Sequence, residues 1–368
     1  MSTSGYWLPR TLHPLAWWVW GLGLAVAASR TTDPLVLAGV ICVVSWVVVA
    51  RRQDAPWARA FRLYLIAGAL VVLIRVFFRL ILGGGEPGPV LIPLPELALT
   101  SGIILFGDVT AAALLAGFYD GLRLAAMLIC VGAANALANP RRLLRSMPPA
   151  LHEVSTSVVV ALSVFPQLAE SLVRVRNARK LRPGSDRRGI AGLRMIVIPV
   201  LEDALDRSLL LAASMDSRGY GRRGDRSARA SLAVGTLLIV GLCGICVGVY
   251  ALLDSTTPRW LSTPVLVGGL SVGAAGLVLS GRGVIRSRYR PDRWRSAELL
   301  TVGAGVAAAV AFSLTDPQLL HPTVTPQLSW PQLPPGALVG LALALLPAFL
   351  TPLPPVQTEQ HELAEATA

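Results

Sequence analysis

Long apolar stretches recur along this chain of 368 residues, separated by short polar segments. A helix needs about 20 mostly apolar residues to cross the ~30 Å hydrocarbon core of a bilayer. The apolar stretches predict about eight spans, at Leu15–Ala28, Pro34–Ala50, Leu63–Leu82, Val109–Ala138, Ala230–Leu253, Thr263–Gly281, Ser296–Leu314 and Gly336–Leu350. The pattern therefore predicts an all-α polytopic membrane protein.

One further apolar stretch, Leu91–Phe106, differs from these spans because Pro93 and Pro95 interrupt it. Proline removes a backbone donor and breaks a regular helix. Irregular backbone at membrane depth is tolerated only where protein or water satisfies its polar groups. We therefore expect this stretch to be a re-entrant or interfacial piece on the side away from the cytoplasm.

Charge is concentrated in the segments between the apolar stretches. The chain is 54% hydrophobic and 15% charged, with a net charge of +12, and Lys180 is its only lysine. A basic balance alone could indicate nucleic-acid binding. Here the arginines collect in residues 51–62, 139–229 and 282–295. If eight spans cross the membrane in alternate directions, these three regions lie on the same side of it. The positive-inside rule puts these regions and both termini in the cytoplasm.

The basic segment Asn139–Arg229 is an insertion of roughly 90 residues after the fourth predicted span. Apolar residues at helical spacing predict two long helices in it, Leu151–Val175 and Leu193–Met215. Pro166 should kink the first helix, and the Pro and Gly of the linker Leu181–Gly189 separate the two. Charged residues recur through both helices, so we assign them to the cytoplasm rather than to the membrane.

These elements divide the chain into membrane and cytoplasmic parts. Residues 1–138 are predicted to form an N-terminal membrane domain of about four spans, and residues 230–281 to continue it with two more. Two additional spans are expected near the C-terminus. The predicted boundaries are 1–138, 139–229, 230–281, 282–295, 296–351 and 352–368, the last being a cytoplasmic tail.

The second cytoplasmic helix ends in the sequence Met215–Gly221. Gly219 or Gly221 can adopt the left-handed backbone that terminates a helix and satisfies its last carbonyls. Arg218 and Tyr220 would then be exposed on a rigid corner, where a guanidinium can pair with a carboxylate of another protein. These residues alone fit two interpretations equally well: a helix cap with no further role, or a docking site for a partner protein.

Other motifs in the chain do not indicate catalysis. Cys243 and Cys246 resemble a redox pair, but they lie inside an apolar span with no histidine near them in sequence, and helix packing explains them better. Residues 219–224 fit a dinucleotide-binding glycine pattern, which requires a preceding strand where this chain has a helix. The histidines show no metal-ligand spacing. We expect no enzymatic activity, cofactor or metal in this chain itself.

Three charged residues lie in or near the fourth span: Asp108, Asp120 and Arg123. Asp120 and Arg123 are three apart, so they could pair on one helix face. Ionisable groups in membranes often mark function. An interfacial pair or a packing contact with a neighbouring helix explains them equally well. These residues are also the basis of an alternative interpretation, a stand-alone ion-coupled carrier or an integral lipid-processing enzyme. A DNA-binding role would rest on net charge alone.

The cytoplasmic insertion resembles the transmembrane T component of energy-coupling factor transporters, the EcfT/CbiQ family. That family has two long cytoplasmic coupling helices, each ending in an Ala-Arg-Gly-like motif. The second motif corresponds to Ser217, Arg218 and Gly219, followed by Tyr220 and Gly221, and the first to Ala178, Arg179 and Lys180. The entry into the first coupling helix is similar at Asn139, Pro140 and Pro148, and at Leu162–Pro166. The resemblance covers roughly residues 10–250 and is most specific over 138–222.

The resemblance implies a subunit with no ATPase site or substrate site of its own. Such a subunit links two cytoplasmic ATP-binding-cassette ATPases, which hold ATP and Mg²⁺, to a small membrane S component that captures a vitamin or a transition-metal ion such as cobalt or nickel. Arg179 and Arg218 would pair with acidic residues of the ATPases. The partners implied are therefore two ATPases, one S component and the lipid bilayer, with no nucleic acid.

The sequence departs from the family pattern at two kinds of position. Lys180 stands where the first motif usually has Gly, and Ser217 where the second has Ala. Both arginines are kept. The two spans beyond about residue 296 are expected to be an addition to the family's usual core.

Overall fold

The structure, a computed structural model, describes residues 8–53, 60–81, 89–93, 97–100, 103–105, 107–147, 151–181, 190–219, 228–253, 258–281, 292, 294–321 and 333–355. Its helices are α1 Pro14–Ser29, α2 Pro34–Arg51, α3 Phe61–Ile81, α4 Ala111–Leu137, α5 Pro140–Arg145, α6 His152–Lys180, α7 Ile190–Ser217, α8 Ala228–Leu253, α9 Arg259–Gly281, α10 Ser296–Leu314, α11 Pro317–Leu320 and α12 Pro335–Leu350. Its strands are β1 Val90–Ile92, β2 Leu97–Thr100, β3 Ile103–Leu105 and β4 Val109–Thr110.

The prediction of an all-α polytopic membrane protein is confirmed. Seven helices within the described ranges are long and apolar enough to cross a bilayer. Six of them, α2, α3, α4, α8, α9 and α10, coincide with predicted spans. The seventh is Val154–Ala178 of α6, whose assignment to the cytoplasm therefore stays a prediction. The predicted spans α1 and α12 have 16 residues each, about 24 Å of helix. The total of eight spans therefore stays a prediction.

The apolar stretch Leu91–Phe106 contains short strands. β1 pairs with β4 and β2 with β3, both antiparallel, and each pair has one register shift. The physical reason is that Pro93 and Pro95 forbid a continuous helix, while the flanking β-branched and leucine residues suit extended backbone. Strand pairing gives hydrogen-bond partners to backbone N–H and C=O groups that would lack them in an irregular re-entrant loop.

Polar side chains cap the starts of several helices, and at α2 the cap is followed by proline. Asp33 precedes Pro34, and its Oδ1 accepts the backbone N–H groups of Leu35 at 2.8 Å and Val36 at 3.1 Å. At α4 the cap is Thr110, whose hydroxyl oxygen accepts the N–H of Ala113. A side-chain acceptor supplies the partner that the first N–H groups of a helix lack.

Residues 1–143 and 292–368 form one compact unit, the first unit, and residues 144–291 form the second unit. In the first unit, packing contacts join α1 to α10, α10 to α12, α12 to α2, α2 to α4 and α4 back to α1. These five helices close a bundle around a buried core, and α3 packs on the outside against α4. The C-terminal helices α10 and α12 are thus part of the same bundle as the N-terminal helices.

Close backbone approach holds α10 against α1. A Cβ on Gly305 would lie 2.5 Å from Trp20 Cα, and one on Gly23 would lie 2.5 Å from the carbonyl oxygen of Gly305. Glycine at both positions is therefore required for the helices to approach this closely. On the other side of α1, the buried Trp20 indole donates to the Ala344 carbonyl of α12 at 3.1 Å.

The second unit contains two helix pairs, α6 with α7 and α8 with α9. Small residues set the closeness of the α8–α9 pair. A Cβ on Gly241 of α8 would meet the backbone of Gly273 at 2.5 Å, and one on Gly269 of α9 would meet Gly244 at 2.5 Å. This stripe supports the packing interpretation of the span that carries Cys243 and Cys246, both of which are free thiols.

Of the two interpretations of Arg123, a pair with Asp120 on one helix face or a packing contact with a neighbouring helix, the structure shows the second. Arg123 Nη2 donates to the Ser29 carbonyl at the end of α1. The last carbonyls of a helix have no intrahelical donor and carry partial negative charge, so they attract a guanidinium from a neighbouring helix. Arg123 thus ties α4 to α1, and this contact removes one support for the stand-alone carrier interpretation.

Candidate coupling surface

The segment that leads into the predicted insertion begins with a capped turn. Asn139 Oδ1 accepts the backbone N–H groups of Arg141 at 3.0 Å and Arg142 at 3.3 Å. Pro140 then occupies the first position of α5, where its fixed φ and missing N–H cost nothing. Asn139 and Pro140 therefore have the structural role that a helix entry requires, while Pro148 lies outside the described residues.

Helix α6 differs from the prediction at its end. It begins at His152, continues through Pro166 as one helix and ends at Lys180, five residues beyond the predicted end at Val175. Straight-chain and arginine residues in the last two turns favour helix. Ala178, Arg179 and Lys180 therefore lie in the last turn of the helix.

Helix α7 ends as the glycine pattern predicts. Its last helical residue is Ser217, and Gly219 adopts left-handed backbone with φ of 74°. The N–H of Arg218 donates to the Met215 carbonyl at 3.2 Å, and that of Gly219 to the Asp216 carbonyl at 2.9 Å. These bonds tighten the final turn and satisfy carbonyls at the helix end.

The side chain of Arg218 is exposed on this turn. Its guanidinium is available to a partner and also lies at the negative end of the helix dipole. Tyr220 and Gly221, the other two predicted residues of this corner, lie outside the described residues. Capping and display of an arginine therefore occur together here, because the same turn does both.

A polar cluster centred on Asp203 joins α7 to α6. Asp203 Oδ2 accepts the Ser171 hydroxyl of α6 at 2.6 Å and the Arg174 guanidinium of α6 at 3.4 Å. Within α7, Arg207 donates Nε to Oδ1 and Nη2 to Oδ2, both at 3.0 Å. One carboxylate thus binds donors from both helices, which fixes their register at this level.

The same contacts set the ionisation of Asp203. The hydrogen bond from Ser171, followed by the interactions with Arg207, lowers the pKa of Asp203 below its usual value. A carboxyl group with a lowered pKa stabilises the folded state above its ordinary pKa. This contribution is lost as the pH falls through the lowered value. The contact between the two helices should therefore be intact at neutral pH and weaken only in acid.

Both arginine-bearing ends lie at short distances from this cluster along stiff helix. Arg179 is eight residues beyond Ser171 in α6, and Arg218 is fifteen residues beyond Asp203 in α7. At 1.5 Å per residue these separations are roughly 12 Å and 22 Å. A displacement applied at either end therefore reaches the contact between the helices through continuous backbone.

Each of the two helices also exposes an apolar stripe. On α6 the exposed side chains recur at helical spacing, at Val154, Val158, Leu162, Phe165 and Leu172. On α7 they recur every fourth residue, at Val197, Leu201, Leu205 and Leu209. Phe165 is 69% exposed and Leu209 is 68% exposed. Contiguous apolar surface of this kind indicates a protein or membrane contact.

The sequence indicated the helix ends but not the cluster between the helices. The spacing of Asp203 and Arg207, four residues apart, is a detectable signal for an intrahelical pair. The partner Ser171 carries no such signal, because a serine on an amphipathic helix is ordinary. Only the packing of α6 on α7 shows that Ser171 is buried beside the carboxylate.

Comparison with known families gives one match, to the family described as CbiQ, cobalt transport protein, over residues 8–228. A search of curated proteins gives no match. The matched region starts before α1, includes the closing glycine turn of α7 and ends at the start of α8. It spans more than half of the chain, and the resemblance inferred from the arginine motifs is thereby confirmed. The chain belongs to the CbiQ family of cobalt transport proteins.

Proposed function

We propose that this chain is the energy-coupling transmembrane T component of an energy-coupling factor importer. In this role it transmits ATP-driven motion of two cytoplasmic ATP-binding-cassette subunits to a membrane S component that captures a transition-metal ion or a vitamin. The observation that carries the proposal is the pair α6–α7, two long helices joined at Asp203, each with an arginine within one residue of its end. Membership of a cobalt transport family supports the same class of function.

The proposed mechanism depends on the stiffness of α6 and α7 and on the charge of the arginines at their ends. An arginine at each helix end pairs with a carboxylate of one ATPase, because the planar guanidinium binds carboxylates with fixed geometry. The exposed apolar stripes supply the contact area that a salt bridge alone lacks. When the ATPases close on ATP, the two ends move, and the contact at Asp203 turns that motion into a change of angle between the helices.

ATP and Mg²⁺ belong to the partner subunits in this proposal. The chain's own residues do three things: Arg179 and Arg218 bind the ATPases, Asp203 holds the two helices in register, and Gly219 shapes the corner that presents Arg218. Substrate specificity lies with the S component.

Co-purification tests the proposal. The chain is expressed with candidate ATP-binding-cassette subunits, then again with Arg179→Ala or Arg218→Glu. Arg141→Ala, which removes an exposed arginine of α5 outside the helix pair, is the control. We expect both end variants to weaken the complex and the control to retain it. If neither end variant weakens binding, the role given to these arginines is wrong.

The alternative is a stand-alone integral carrier or a lipid-processing enzyme. It rests on Asp108 and Asp120, because Arg123 contacts a backbone carbonyl rather than Asp120. Uptake of Co²⁺ into vesicles by the purified chain without any ATPase would favour the carrier. Dependence of uptake on added ATPases and ATP would exclude it.

A further inference from the structure

The second unit is an insertion in the first, so the chain passes between them twice. It leaves the first unit after Leu143 and returns at Asp292. The first crossing leads into the coupling helices, and the second leads out of the α8–α9 pair. These two crossings are therefore the covalent links through which motion of the second unit can reach the bundle.

An ion pair joins the two crossings. Arg142 Nη2 donates to Asp292 Oδ2 at 2.9 Å, and Nε donates to the same oxygen at 3.3 Å. Arg142 is the residue before Leu143, where the chain leaves the first unit, and Asp292 is the first residue after its return. Both residues belong to the first unit, although they are 150 residues apart in sequence.

Residues 10–13 of the N-terminal segment lie beside this pair. Arg142 Nη1 donates to the hydroxyl oxygen of Thr11, and next to it Arg10 binds both carboxylate oxygens of Glu298, at 2.7 Å and 3.1 Å. The His13 ring stacks on Trp294 with ring centroids 5.0 Å apart. Residues 10–13, the start of α5 and the start of α10 are thus held together.

The two ion pairs differ in strength. The Glu298 side chain is 2% exposed, so its pair with Arg10 is shielded from water. The side chains of Arg142 and Asp292 are 25% and 47% exposed, so their attraction is screened. The arrangement therefore combines a firm anchor on α10 with a weaker, reversible contact at the crossings themselves.

We propose that the Arg142–Asp292 pair holds the two crossings together and so acts as a staple. Motion of the second unit is then transmitted to the bundle at a single place. Without it, the two links could separate and absorb the displacement of the coupling helices. Arg142 and Asp292 are positioning residues in this proposal, which rests on the proposed coupling function. It also gives a role to residue 292, which lies beyond the matched region 8–228.

Hydrogen exchange of the full chain tests the staple without partners. Asp292→Asn should speed amide exchange in α5 by about fivefold, the effect of losing a contact of this class. The combined variant Arg142→Asp with Asp292→Arg should restore slow exchange. Arg141→Asp, an exposed neighbour with the same charge change as Arg142→Asp, is the matched control and should have no effect. Unchanged exchange in Asp292→Asn would overturn the staple.

The chain assembled with its ATPases tests the coupling role. In the unaltered complex, we expect ATP to change amide exchange in α1 and α4 of the first unit. Asp292→Asn should keep the ATPases bound but lose most of that change, and the charge-reversed pair should recover it. If the ATPases bind and Asp292→Asn responds to ATP fully, the staple has no part in coupling. If no ATPase binds, the proposed function fails while the exchange result in α5 still decides whether the staple exists.

Discussion

The first and second units are built from similar apolar helices but are stabilised differently. Five helices of the first unit surround a core in which Trp20, Leu24 and Phe312 are buried almost completely. In the second unit, α6 and α7 meet at a charged cluster and expose most of their large apolar side chains. The first unit is packed around a buried core, whereas α6 and α7 leave apolar surface exposed. This difference is the one that the proposed coupling function requires, in which the first unit is the anchor and α6 and α7 move.

The largest expected effect lies at the α1–α10 contact. Gly305→Ala should destabilise the first unit by about 3 kcal/mol, because a Cβ there meets the Trp20 backbone at 2.5 Å. Gly303→Ala on the same helix is the matched control, since a Cβ at that position meets nothing within 4 Å. Thermal unfolding in detergent measures both. Equal stability of the two variants would mean that α10 does not pack on α1 as described.

The second prediction concerns the buried carboxylate of α10. Glu298→Ala should cost about 2 kcal/mol, because it leaves the Arg10 guanidinium and the Arg295 N–H without their acceptor. Asp316→Ala, which removes a helix cap at exposed α11, is expected to cost less. Thermal unfolding in detergent measures the stability of both variants. A larger loss from Asp316→Ala would contradict the anchoring role of Glu298.

A smaller, local effect is expected at the end of α7. Gly219→Ala places an L-residue at φ of 74° and should destabilise the final turn by about 1 kcal/mol without altering global unfolding. Faster amide exchange at Arg218 and Gly219 would report it. Lys180→Gly is the companion variant at the end of α6, where glycine should loosen the last turn of the helix. Unchanged exchange in Gly219→Ala would show that this turn is not what terminates the helix.

The smallest expected effect is at Asp203, whose cluster is open to water. Asp203→Asn should speed exchange in the middle of α6 and α7 at neutral pH. In the unaltered chain the same loosening should appear only as the pH falls through the lowered pKa of Asp203. Asp206→Asn, another carboxylate of α7, is the control. A response already present between pH 6 and 7 would assign the titration to a different group.

Sequence reasoning succeeded where the signal is local. The apolar stretches predicted five of the long apolar helices to within two residues at each end, and α9 except for its first four residues. The glycine of the second motif predicted the turn at Gly219. Local chemistry also explains why α6 ends at Lys180 rather than at the predicted Val175, since Lys180 has no glycine-like freedom and the helix includes it.

The features that sequence reasoning missed are all tertiary. No sequence pattern shows that α10 and α12 close the same bundle as α1 and α2, although both lie beyond the matched region 8–228. Ser171 beside Asp203, and Arg142 beside Asp292, are likewise contacts between residues far apart in the chain. Periodicity identifies which face of a helix is apolar, but the partner of that face depends on packing.

The central claim is that α6 and α7 each hold one ATPase. Native mass spectrometry of the nucleotide-free complex tests it most directly, because it counts the subunits bound to each chain. The account predicts two ATPases on the unaltered chain, one on Arg179→Glu, one on Arg218→Glu and none on the double variant. Two ATPases retained on the double variant, or none on the unaltered chain, would contradict it.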